Sequence, residues 1–122
     1  MAVTVKMISI LLFLSLVSQC HCQCSLNNLQ ITQHKDGIWR HGKPEFTVTI
    51  TNNCRCSLQN VILNCKDLET TADLGTTIPD ILSVKGDQCI VNSGRPFKNA
   101  LTFTYASDSP FPFIPVHSET VC

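Results

Sequence analysis

Glu45-Phe46-Thr47-Val48-Thr49-Ile50-Thr51 is the stretch that settles the fold class. Its apolar side chains recur at every second residue and hydroxyls fill the positions between, a period that suits a strand with one buried face. Leu101-Thr102-Phe103-Thr104-Tyr105 repeats the pattern. Weaker strands are expected over residues 29–33 (Leu29 and Ile31 on one face), 60–65 (Val61, Leu63 and Cys65) and 88–91. Residues 116–122 suit an edge strand, because Pro110, Pro112 and Pro115 before them exclude a helix and any central strand. Turn chemistry separates the runs: Lys35-Asp36-Gly37, His41-Gly42-Lys43-Pro44, Asn52-Asn53 and Asn92-Ser93-Gly94-Arg95-Pro96. A helix is expected only as a short turn over residues 80–85, started by Ile78-Pro79. Strands at such spacing predict an all-β fold, a small antiparallel β-sandwich stapled by disulfides.

The chain has 122 residues, but the first 22 read as a secretory signal. Lys6 forms a short basic region, an apolar run follows from Met7 to Val17, and Ser18 to Cys22 carry the small residues that a cleavage site needs. The run is about half the ~20 residues that span a bilayer, so a cleaved leader is expected and no membrane insertion of the mature chain. Two cuts compete. Cleavage after Cys20 leaves an odd cysteine, whereas cleavage after Cys22 leaves six: Cys24, Cys54, Cys56, Cys65, Cys89 and Cys122. The second is favoured, which gives one domain over residues 23–122 whose first residue, Gln23, can cyclise.

That domain holds 8 Lys or Arg against 9 Asp or Glu, with no long basic run. A nucleic-acid binder is excluded on this count, since its affinity rests on neutralising many phosphates. Six cysteines in a domain of this size fit an exported protein, and three disulfides are expected. Zinc would want C-x₂₋₄-C pairs, and Cys54-Arg55-Cys56 is too close. For the same reason Cys54 and Cys56 are not expected to pair with one another; the remaining connectivities stay open.

No catalytic constellation stands out. The serines lie in no Gly-x-Ser-x-Gly elbow, His34, His41 and His117 have no carboxylate at diagnostic spacing, and the Asp67, Glu69, Asp73 and Asp80 group reads as a solvated face. No glycine-rich phosphate loop is present, so no cofactor is expected. A sugar-binding module is the serious alternative: Trp39, Phe111 and Phe113 could stack on pyranose rings. Trp39 would equally suit a cap on the sandwich core. No Asn-x-Ser/Thr sequon follows the leader.

Taken in order, Gly42-Lys43-Pro44-Glu45-Phe46-Thr47-Val48-Thr49-Ile50, Asn53-Cys54, Asn60-Val61 to Cys65, Asp87-Gln88-Cys89-Ile90-Val91-Asn92-Ser93-Gly94-Arg95-Pro96, Phe103-Thr104-Tyr105-Ala106 and Ser118 to Cys122 resemble the small secreted plant proteins of the Tapetum Determinant type. The Asp-x-Cys-x-Val-Asn-x-Gly-x-Pro string is the most specific part. The resemblance implies an apoplastic signalling ligand, without enzymatic activity, for the ectodomain of a leucine-rich-repeat receptor kinase that directs cell fate in reproductive tissue. Founding members carry a longer segment before the first cysteine, with a basic processing site; here only Gln23 separates the leader from Cys24, as in a short paralogue. For such a ligand, Trp39 and Arg40 are the expected receptor contacts, since an aromatic beside an arginine is the composition of interface hot spots. Lys35, His41 and Lys43 make the surrounding loop basic, and Arg95 and Lys98 are a second candidate.

Overall fold

A computed structural model of the chain describes residues 24–74 and 80–122. The leader and its cleavage site, Gln23 and the Ile78-Pro79 pair lie outside the described residues. A 3-10 turn at Leu26–Asn28 leads into β1 (Leu29–Arg40), followed by β2 (Lys43–Asn52), β3 (Ser57–Asn64), a single helical turn α1 (Leu68–Thr71), β4 (Leu82–Lys85), β5 (Gln88–Val91), β6 (Leu101–Ala106) and β7 (Ile114–Val121). They form two antiparallel sheets, ordered β1-β2-β6 and β4-β5-β3-β7. The fold is the expected antiparallel β-sandwich.

The two runs of alternating residues turn out to be neighbours. Phe46 pairs with Tyr105, Val48 with Phe103 and Ile50 with Leu101, so one register puts both apolar rows on the inner face and pairs Thr47 with Thr104 and Thr49 with Thr102 outside. A slip of one residue would turn every one of these side chains to the wrong face. The opposing sheet contributes Leu58, Val61, Leu63, Cys89 and Val91, all buried in the same core. Each such side chain removed from water contributes about 1.5–3 kcal/mol. Between the sheets, the Tyr105 hydroxyl donates to Gln33 Oε1 and accepts from the Phe111 amide at 2.7 Å, while Gln33 Nε2 donates to the Phe111 carbonyl at 2.7 Å. This network satisfies the polar end of an otherwise apolar core.

Three disulfides staple the sandwich: Cys24–Cys54, Cys56–Cys122 and Cys65–Cys89, with Cα–Cα distances of 5.9, 4.7 and 5.7 Å. The first two close one end, where Cys24 N also donates to Thr120 Oγ1 at 3.2 Å. As expected, β7 is an edge strand, with Pro115 opposite Leu63 beside a register shift.

Three expectations need correction. The helix placed over residues 80–85 is a strand: Leu82 to Lys85 pair antiparallel with Val91 to Gln88 through the Gly86-Asp87 turn, and that ladder overrides weak local helix propensity. The helical turn occurs at Leu68–Thr71, where Leu68 is fully buried. Lys35-Asp36-Gly37 is not a chain-reversing turn but a bulge inside β1, where Asp36, Gly37 and Ile38 stand opposite Glu45 alone.

Candidate functional site

The β1–β2 hairpin reverses through His41 and Gly42, whose φ angles of 52° and 80° belong to the primed two-residue turn that matches strand twist. Below it the bulge is set by Asp36. One carboxylate oxygen accepts the Ile38 amide at 3.0 Å, the other the Thr47 hydroxyl at 2.9 Å, and Gly37 supplies the required φ of 87°. The result is a rigid tip that leaves Ile38 and Trp39 54% and 68% exposed. Trp39 therefore does not cap the core.

Arg40 behaves differently from its neighbour. Its side chain is mostly buried; Nε lies 2.6 Å from Glu45 Oε2, a charge contact without an aligned hydrogen bond, and Nη2 donates to the Asp73 carbonyl at 3.3 Å. His41 Nδ1 reaches Asp73 Oδ2 at 2.5 Å. Asp73, read from sequence as part of a solvated face, is instead the post to which the hairpin tip is tied. It is itself fixed to the edge of β6 by paired backbone bonds with Ala106.

Asp36 and Glu45 face each other across the bulge. Hydrogen bonding to Asp36 is the main cause that raises the Glu45 carboxyl above its ordinary range, helped by burial and by the Asp36 charge, and Arg40 only partly opposes it. Asp36 is held below its ordinary range, chiefly by the Ile38 amide. All three carboxyls at the tip are thus engaged from inside. Lys35 and Lys43 form no salt bridge among the described residues.

The Cys89 string has a structural task. Asn92, Ser93 and Gly94 take φ angles of 56°, 57° and 79° in succession, a left-handed turn closed by Arg95 N to Asn92 O at 3.0 Å. It swings the chain from β5 to Phe97, which is buried and bridged to Leu58 by two backbone bonds. Asn60, also at positive φ, sits against Gly94 and donates to Glu119 Oε1 at 3.1 Å. His117, at 3.1 Å from the other oxygen, is the main reason the Glu119 carboxyl lies below its usual range, followed by Asn60. Arg95 and Lys98 are exposed on this separate connection, and the Arg95 side chain folds back onto Asn92 O at 3.2 Å.

The proposed sugar platform does not assemble. Phe113 is buried edge-to-face against Phe103 and Tyr105, and Phe111 packs on Phe113 at a centroid distance of 4.9 Å. Only Trp39 of the three faces solvent broadly. Sequence reasoning passed over Ile38 and Asp36, although an apolar residue next to Trp39 in a turn-rich segment was a readable signal. The tie to Asp73, 32 residues away, left none.

A family model described as Tapetum determinant 1, C-terminal, matches residues 25–122. An uncharacterized protein of Arabidopsis thaliana is 30% identical over 87 residues, which cover 69% of this chain and 67% of that protein. No solved structure matches the chain significantly.

Proposed function

We propose, from the premise that this chain belongs to the Tapetum determinant 1 family, that it is an exported ligand for the ectodomain of a plant leucine-rich-repeat receptor kinase. It acts without catalysis, in the apoplast, in cell-fate decisions of the reproductive kind for which the family is known. The observation that carries this reading is the hairpin tip: a tryptophan and an isoleucine exposed on a backbone braced from three sides. Rigid exposed aromatics make strong anchors because little conformational entropy is lost on binding. Three disulfides fit an oxidising compartment, and the leader over residues 1–22 supplies the export route.

The test is binding of the secreted chain to a panel of leucine-rich-repeat receptor kinase ectodomains by biolayer interferometry. Saturable binding to one of them is expected, and failure across the panel overturns the proposal. Strong retention on insoluble cellulose would favour the sugar-binding alternative, against which the burial of Phe113 already argues.

A further inference from the structure

Among the described residues, six large apolar side chains are exposed: Leu26, Ile38, Trp39, Ile114, Val116 and Val121. Isolated exposed hydrophobics are ordinary, but these are not scattered. Leu26 leads into β1, Ile38 and Trp39 lie on β1, and the other three lie on β7. Both strands are sheet edges. They also share one flank of the sandwich, since Cys24 N bonds Thr120 Oγ1 at one end and Gln33 Nε2 bonds the Phe111 carbonyl at the other. The eight residues of β7 span roughly 25 Å of this flank, and β1 runs on past its start to the hairpin tip.

We infer that the β1–β7 flank, from Val121 through Val116 to Ile38 and Trp39, is one continuous docking surface for a partner protein that presents an apolar strip bordered by carboxylates. This extends the receptor-ligand reading from the hairpin tip to the whole flank and rests on it for the class of partner. The charge distribution selects the partner. Lys35 and Lys43 flank the tip without a salt bridge among the described residues, whereas Asp36, Glu45 and Asp73 are turned inward onto Ile38, Arg40 and His41. What the tip offers outward is therefore apolar surface and ammonium groups, which carboxylates on the partner complement. Two disulfides fix the far end and the Asp73 ties fix the near end, so the surface is preorganised and little ordering is needed on binding.

A phage-displayed library of random peptides, panned on the full secreted chain, tests the surface without any receptor. Enriched peptides should combine acidic with apolar residues. They should lose roughly tenfold in affinity for Trp39→Ala, for Val116→Lys and for the Lys35→Glu, Lys43→Glu double variant, and keep it for Thr102→Lys on the outer face of the other edge. No enrichment, or peptides that bind all variants alike, overturns the inference. So does light scattering that shows a dimer which Val116→Lys dissociates, because the flank is then a contact between copies. Peptides that map to the flank while no receptor ectodomain binds would sink the receptor reading and leave the surface. An ectodomain that binds with affinity unmoved by Val116→Lys and by the double lysine variant would do the reverse.

Discussion

A Cβ placed on Gly94 would lie 3.0 Å from Oδ1 of Asn60. The two residues belong to different segments, the left-handed turn after β5 and the irregular middle of β3, and both have positive φ. Gly94 is therefore required twice, by its φ of 79° and by the side chain laid against it. Gly94→Ala should cost about 1–3 kcal/mol, from left-handed strain plus displacement of the Asn60 amide from Glu119. Urea denaturation measures this, and an unchanged midpoint would show the turn to be plastic.

Asn52 is a buried polar residue whose side-chain nitrogen and oxygen are both bonded. Its Nδ2 donates to the carbonyls of Cys56 and Phe97 at 3.0 Å each, and its Oδ1 accepts the Cys54 amide at 2.8 Å. It joins the end of β2 to the loop carrying two disulfides and to the segment that anchors the left-handed turn. Asn52→Ala removes all three bonds, takes from the Cys54 amide its acceptor, and should destabilise the domain by roughly 2 kcal/mol or more. Loss of amide-exchange protection should be greatest at Cys54, whose amide Asn52 accepts.

Period-two patterning made the neighbouring strands β2 and β6 legible, because inward rows such as Phe46, Val48 and Ile50 must all reach the core and only strand geometry does that. The short strand β4 was not legible: four residues carry too little pattern, and its conformation comes from pairing with β5. At the candidate site, the aromatic and the arginine were found together by composition, but their separate tasks were not. Arg40 is drawn inward by Glu45, and no local signal announces a partner five residues on across a bulge.

The Asp36 and Glu45 pair makes stability depend on pH with opposite signs. Asp36, lowered on folding, contributes stability above its unfolded pKa that is lost as pH falls through the folded value. Glu45, raised on folding, binds more proton in the native state, so its contribution is full in acid and declines as pH climbs through the folded value. Glu45→Gln cannot titrate. The stability of the wild-type chain relative to this variant should therefore fall between acid and neutral pH. Urea midpoints of both proteins at several pH values measure the slope, and a rising difference would contradict a Glu45 carboxyl raised on folding.

The Cys56–Cys122 bridge joins residues 66 apart and pins the last residue of β7's extension, whereas Cys65–Cys89 joins residues 24 apart within one sheet. In the chain-entropy model the first contributes roughly 4 kcal/mol and the second roughly 3 kcal/mol. Replacing Cys56 and Cys122 by Ala should therefore cost more stability than the same change at Cys65 and Cys89. Cys65 and Cys89 are fully buried, so two hydroxyls there would add a desolvation cost. Ser would incur the same cost at the buried Cys56, so Ala at all four positions avoids it, and denaturation of the two double variants then compares the bridges without it. Proteolytic mapping under non-reducing conditions checks the pairing itself.

Trp39 and Arg40 are neighbours in sequence with divided labour, and two substitutions separate them. Trp39 is exposed and packs on nothing in the core, so Trp39→Ala should leave the unfolding midpoint within about 0.5 kcal/mol of wild type while weakening receptor binding by roughly tenfold or more. Arg40 supports the hairpin through Glu45 and Asp73, so Arg40→Ala should lower stability and loosen the tip. Glu45 would then lose the one charge that favours its ionised form, and the pH slope described for that residue should steepen. Arg40→Lys keeps a charge near Glu45 but not the second contact at the Asp73 carbonyl, and should restore part of the pH behaviour and little of the rigidity. If Arg40→Ala instead abolished binding with stability and pH slope unchanged, the guanidinium would have to leave Glu45 and meet the partner directly.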